Sequence, residues 1–200
     1  MIFERLYIPE IVLCKPKVFE DKRGYFLESF RKDKLEEFLG YSINFCQDNE
    51  SKSNKYVLRG LHYQSSPYAQ SKMVRVIKGA VMDVVVDIRI GSPTFGRYIK
   101  FELSEENKYQ LFIPRGFAHG FLVLKDETIF AYKVDNYYSP VHDRGIAFND
   151  RDLGINWGVD VSKLKISDKD KRQPSLKDSD SLFKYGVDYY SDEYWIINNE

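Results

Sequence analysis

Only two of the 200 residues are cysteine, Cys14 and Cys46, 32 positions apart, so there is no disulfide framework and no Cys-x-x-Cys pair for zinc or redox chemistry. Both are expected to be small buried hydrophobes. Neither sign of charge is in surplus, with 30 Lys and Arg against 30 Asp and Glu. The clustered basic excess that neutralises a nucleic-acid backbone is therefore missing, although a few cations can still hold one small anionic ligand. No run approaches the ~18 apolar residues of a membrane span. The first 19 residues interleave Glu4, Arg5, Pro9 and Glu10 with apolar side chains, which leaves no signal-peptide core. A cytoplasmic protein without membrane or nucleic-acid partners is expected, and the sequon Asn49-Glu50-Ser51 is read as chance. Also lacking are Gly-x-x-x-x-Gly-Lys-Ser/Thr, Gly-x-Gly-x-x-Gly after a strand, and Gly-x-Ser-x-Gly, which excludes the common phosphate, dinucleotide and serine-hydrolase sites.

What is present is alternation. From Ala80 to Ile88 the even positions are all apolar, and Val81, Asp83, Val85 and Asp87 share the other face. That pattern predicts a strand with one face in a core and carboxylates on the other. Further β-rich runs cover 73–77, 98–103, 110–113, 119–124 and 129–134, and many short strands at this spacing indicate a sandwich or barrel. One helix is expected over 31–38, with Leu35, Phe38 and Leu39 on one side and Gly40 as terminator. After about Asp150 the pattern loosens. From Lys177 onward Phe183, Tyr185, Tyr189, Tyr190, Tyr194 and Trp195 stand among acids, a composition that should pack on the body or on a partner subunit.

The three histidines differ in setting. His142 in Ser139-Pro140-Val141-His142-Asp143 reads as a solvated loop residue. His119 lies where a turn hands over to an apolar strand and fits a satisfied core histidine as well as a functional one. Alternation puts Gly60, His62 and Gln64 on one face, with room for a ligand beside the imidazole. A metal-binding barrel would offer two His two residues apart; Gln64 occupies the second position, and no His-x-His occurs. A set of His, Tyr, Lys, Arg and Asp suits proton transfer next to a carbonyl: imidazole removes the proton, a carboxylate orients it, and a cation stabilises the enolate oxygen. Read locally, Tyr132 also fits plain core, and Arg59 and Lys72 also fit surface salt bridges.

Several blocks carry a resemblance. They are Pro16-Lys17-Val18-Phe19, 21–29 (DKRGYFLES), Gln47-Asp48-Asn49-Glu50-Ser51, 57–64 (VLRGLHYQ), Ser92-Pro93-Thr94-Phe95-Gly96, 113–121 (IPRGFAHGF), Tyr132-Lys133, 136–140 (NYYSP), Asn149-Asp150 and Gly154-Ile155-Asn156-Trp157. In order, over roughly residues 1–176, they resemble the dTDP-4-dehydrorhamnose 3,5-epimerase family. The resemblance implies a mostly β fold, a cupin-type β-barrel or jelly roll with a few short helices. It further implies a homodimer working without metal or other cofactor on a nucleotide-linked 4-keto-6-deoxyhexose. An epimerase domain would then span 1–176 and an aromatic, acidic extension 177–200.

Carried over by motif, His62 resembles the base, Asp170 its orienting carboxylate, and Tyr132 the proton donor on the opposite sugar face; Lys72 suits the C4 oxyanion. His119 matches the second motif histidine, with Asp83 as its carboxylate. Arg23, Glu28, Gln47, Asn49, Arg59, Tyr138, Asp143 and Lys169 resemble substrate-binding positions, some supplied across the dimer. The family often has Glu at the position of Asp143. A relative inverting only C3 or C5, or acting on a GDP-linked keto sugar or heptose, fits the same residues.

Overall fold

Residues 1–191 are described in a computed structural model. Two six-stranded sheets face each other as a barrel. The first runs β1 (Ile2–Arg5), β2 (Val12–Lys15), β11 (Gln110–Ile113), β7 (Lys72–Lys78), β13 (Thr128–Val134) and β5 (Gln47–Ser53). The second runs β10 (Tyr98–Ser104), β8 (Ala80–Asp87), β12 (Phe117–Val123), β6 (Val57–Gln64) and β14 (Asp143–Gly145), with β15 (Lys165–Ile166) parallel to β6. A separate hairpin joins β3 (Val18–Asp21) to β4 (Gly24–Leu27), and β9 (Arg89–Ile90) pairs in parallel with β16 (Phe183–Lys184).

Three apolar layers follow from the strand periodicity. Between the sheets, Val74, Val76, Val81, Val85, Phe121 and Phe130 fill the barrel. Outside the second sheet, Leu58, Val84, Val86 and Leu122 are covered by Phe148, Trp157, Leu176 and Phe183. Outside the first sheet, Val12, Met73 and Phe112 are covered by Leu35 and Leu39 of α1 (Lys32–Leu39). Gly40 ends α1 in the left-handed region at φ 84°, its N–H donating to Glu36 O, which glycine does without a Cβ penalty.

The strand over 80–88 alternates as expected, with both faces buried instead of one. Its carboxylate face is not turned to water: Asp83 and Asp87 are fully buried, because one face lines the barrel and the other lies beneath the C-terminal cover. Asp87 is held by Arg89, Ser92 and Thr94, whose hydrogen bonds outweigh the desolvation that would raise its pKa and leave it lowered. Cys14 is buried, whereas Cys46 is exposed, on the approach to the edge strand β5. His142 is half-buried rather than solvated, its ring tilted against that of Tyr68 with centroids 4.5 Å apart and Ser139 Oγ 2.8 Å from its Nδ1. Tyr194 and Trp195 of the aromatic tail lie outside the described residues.

Candidate active site

A cavity of about 320 Å³ lies inside the barrel, with Arg59, His62 and His119 contributed by the second sheet and Asn49, Lys72 and Tyr132 by the first. This volume is at the small end of the range for small-molecule pockets. The wall bearing His62 is shaped by a β-bulge. Opposite β12, His62 pairs with His119 and Arg59 with Phe121, so β6 carries one more residue than its partner across this stretch. Simple alternation, which grouped Gly60, His62 and Gln64, gives way here, and Arg59 faces the cavity together with His62. Gly60 sits at φ 123°, and a Cβ on it would stand 2.5 Å from Gly120 Cα, while one on Gly120 would stand 2.7 Å from Arg59 O. Only two glycines allow the backbones to meet this closely.

His62 Nε2 lies 2.6 Å from Asp170 Oδ1. Asp170 reaches it from α2 (Asp168–Lys171), a single turn whose N-cap Ser167 accepts from Asp170 N. Burial alone would raise the Asp170 pKa; hydrogen bonds and charge from His62, with the Gly60 N–H, outweigh it and hold the carboxyl below its ordinary value. An ionised carboxylate there keeps a proton on Nε2, so the other ring nitrogen carries the free lone pair.

His119 Nε2 lies 2.9 Å from Asp83 Oδ2, and both side chains are buried. Desolvation lowers the His119 pKa against the pull of Asp83, with Lys72 and His62 adding to the lowering, so this ring is neutral at pH 7. The other Asp83 oxygen, Oδ1, is buried without a hydrogen-bond partner among the described residues. Lys72 rises from the first sheet and donates to His62 O at 3.3 Å. Its pKa is lowered to about 8 by desolvation, with Asp83 and Asp143 opposing. Tyr132 is half-buried on the opposite wall; desolvation raises its pKa, countered in part by Arg59, so the phenol stays protonated at neutral pH.

The remaining sequence-assigned positions divide into four groups. Asn49 and Arg59 reach the cavity. Gln47 lies two residues before Asn49 on β5 and donates to its Oδ1. Tyr138 and Lys169 both donate to Asp143 Oδ2, on the strand that pairs with β6 two positions beyond His62. Arg23 and Glu28 are not brought to this cavity. Arg23 pairs with Asp21 at the hairpin tip and Glu28 with Arg31, both exposed. Sequence reasoning gave no role to Ser51, Phe121 and Phe130, which also line the cavity; for Ser51 the signal was alternation with Asn49 along β5. Gln64 places no group in the cavity. It instead ties two loops, donating to Tyr68 O and Tyr137 O and accepting from Ser139 N. Among the described residues no three His, Cys, Asp or Glu side chains converge as metal ligands.

A jelly-roll barrel of the cupin type, its interior fitted with two His–carboxylate pairs, a lysine and a tyrosine, is the class of protein these features define. Residues 5–178 match the model of the dTDP-4-dehydrorhamnose 3,5-epimerase family, and the chain belongs to that family. It is 53% identical over 173 residues to a dTDP-4-dehydrorhamnose 3,5-epimerase of Shigella flexneri, covering 86% of this chain and 94% of that one. Among solved structures it is similar to a dTDP-6-deoxy-D-glucose-3,5-epimerase from Legionella pneumophila Philadelphia 1 in complex with dTDP-4-keto-L-rhamnose, with TM-score 0.89 and 45% identity, over 93% of this chain and 99% of that one. It is also similar to a 3'-monoepimerase from Streptomyces bikiniensis in complex with dTDP-quinovose, with TM-score 0.85 and 31% identity, over 96% of this chain and 95% of that one.

Proposed function

We infer that this chain is an isomerase that inverts C3 and C5 of dTDP-4-dehydro-6-deoxyglucose to give dTDP-4-dehydrorhamnose. The observation that carries the reading is His62, on one sheet and paired with Asp170, facing Tyr132 on the other across a single cavity. In a 4-keto sugar both C3 and C5 flank the ketone, so one oxyanion site activates both carbon acids. His62 takes the proton and Asp170 stabilises the imidazolium. Lys72, mainly cationic at pH 7, holds the enolate oxygen, and Tyr132 returns a proton to the opposite face. Each proton-transfer group is expected to contribute ~10²–10⁴-fold. His119, kept neutral beside Asp83, and Arg59 and Asn49 bind the substrate.

Arg23 and Glu28 enter this scheme through a homodimer. The hairpin that bears Arg23, with Glu28 just beyond its end, presents Phe19, Tyr25 and Phe26 to solvent, and docking it on a second copy of the chain brings both residues to that copy's site. The enzyme works in the cytoplasm and without a metal, so a chelator leaves turnover unchanged.

A second reading, inversion at C3 alone, is favoured by the likeness to a 3'-monoepimerase. NMR of the product from the dTDP-linked and GDP-linked 4-keto sugars tests all of this. Inversion at both carbons of the dTDP sugar is expected, and inversion at one carbon, or preference for the GDP sugar, overturns the assignment.

A further inference from the structure

Three strands that carry the cavity's ionisable groups have ends that meet at one place. β7 begins at Lys72, β13 ends two residues after Tyr132, and β12 begins two residues before His119. Ser71 and Asp135 lie just outside two of those ends, and Arg115 two residues before the third. Ser71 N donates to Asp135 Oδ1 at 2.5 Å, and Arg115 Nε to Asp135 Oδ2 at 3.2 Å. Both charged side chains are buried, with 8% and 3% exposure for Arg115 and Asp135.

The fourth member of this cluster comes from the far end of the chain, beyond residue 178 where the family match stops. The Tyr190 hydroxyl lies 2.7 Å from Ser71 Oγ and accepts from Arg115 N at 3.1 Å. The Arg115 guanidinium covers the Tyr190 ring at 4.8 Å and donates to Tyr189 O, and Tyr41 packs against the ring at 4.9 Å. Burial raises the Tyr190 pKa, so the group remains a phenol. Between Tyr190 and Ser71 either hydroxyl can be the donor, and the bond ties the two residues in both cases. The segment is anchored by Phe183 and Tyr189, both buried in the layer outside the second sheet.

We propose that Tyr190 is a positioning residue for the reaction: its hydroxyl pins Ser71 and so fixes the backbone from which Lys72 enters the cavity. A lysine is a point charge on a four-carbon stem, and its aim depends on how firmly its root is held. Displacements of about 1 Å can cost ~10²-fold in rate. The C-terminal segment, outside the family core, thereby becomes part of the catalytic apparatus without touching substrate. The proposal rests on the reading of Lys72 as the cation at the enolate oxygen.

The test uses the full chain and compares Tyr190→Phe, Ser71→Ala, the double variant and Lys72→Met by product NMR over a range of pH. Tyr190→Phe keeps the ring contacts and loses the hydroxyl's hydrogen bonds with Ser71 Oγ and Arg115 N, so folding is retained and kcat falls about 3–10-fold with KM within about twofold. The alkaline limb of kcat moves upward, because water admitted at the root of β7 hydrates the ammonium. Ser71→Ala behaves alike, and the double variant is no worse than the worse single one. A Tyr190→Phe enzyme with unchanged kcat and limb, beside a Lys72→Met enzyme that is severely impaired, overturns the positioning role alone. A loss of kcat that follows melting temperature with the limb unmoved overturns it in favour of a purely structural contact. Full turnover by Lys72→Met overturns the reading of Lys72 and the proposal with it.

Discussion

Arg59 and His62 stand three positions apart on one strand and line the same cavity, because one extra residue lies between them on β6 relative to β12. That geometry depends on Gly60 and Gly120, whose backbones meet too closely for any side chain. Gly60→Ala must accommodate both the contact and a positive φ, and Gly120→Ala the contact alone. Each should lower stability by roughly 1–3 kcal/mol, with Gly60→Ala the worse, and each should reduce turnover by disturbing both side chains. Thermal melts together with kcat check this; wild-type values in both variants would refute the account of the bulge.

His62 and Tyr132 should separate when proton exchange is measured apart from inversion. In deuterated water, His62→Asn should lose exchange and inversion at C3 and C5 together. Tyr132→Phe keeps the base, so the enolate forms and is reprotonated from the face it left, giving deuterium incorporation with retained configuration. Inversion should then fall by ~10²–10⁴-fold more than exchange. A parallel fall in a folded Tyr132→Phe enzyme would show that another group is the acid.

Asp170→Asn should keep the fold and lose most activity, since the imidazole loses the partner that selects its tautomer and stabilises its charge. The Asp170 pKa is lowered from 3.8, so its contribution to stability is present above that value and lost as pH falls through the lower folded one. The deficit of Asp170→Asn at neutral pH should therefore close in acid. A deficit independent of pH would mean that the carboxylate's charge is not what stabilises the site.

Lys72→Met should exchange activity for stability. With the pKa at about 8 against 10.5 unfolded, the buried cation opposes folding below pH 8 by up to roughly 3 kcal/mol. Between those two values the unfolded chain binds more protons, so wild-type stability rises with pH. The variant should melt higher at pH 7, and its advantage should vanish near pH 10.5. Denaturant melts at pH 7 and pH 10 check the sign, and a less stable variant at pH 7 would contradict it.

The strands were the most legible part of the sequence. The run at 110–113 is β11 to the residue, and the helix over 31–38 lies one residue from α1. β5 escaped notice because Gln47–Ser53 is polar throughout; as an edge strand it has little apolar surface to bury. The two-sided burial of β8 was illegible because a period of two reports alternation, and the covering layer comes from residues over sixty positions later. Local pattern suggested room for a ligand at His62. It had no means of finding Asp170, which lies 108 residues away and is delivered by a one-turn helix too short for periodicity to register. That pairing came from the family resemblance. The bulge at Gly60 was hidden for a related reason: it depends on how β6 meets β12, a relation between strands and not within one.

The layer outside the second sheet also affects how the chain is made. Leu58, Val84, Val86 and Leu122 are synthesised before the residues that shelter them, Phe148, Trp157, Leu176, Phe183 and Tyr189. At ~5–20 residues per second, the nascent barrel carries an uncovered apolar sheet face for some seconds before its cover emerges from the ribosome. A stop codon or a stalled ribosome within that window releases a barrel that has its long strands but a sticky outer face. Chaperone capture and aggregation during expression should therefore follow translation of the last fifty residues more closely than that of the barrel itself.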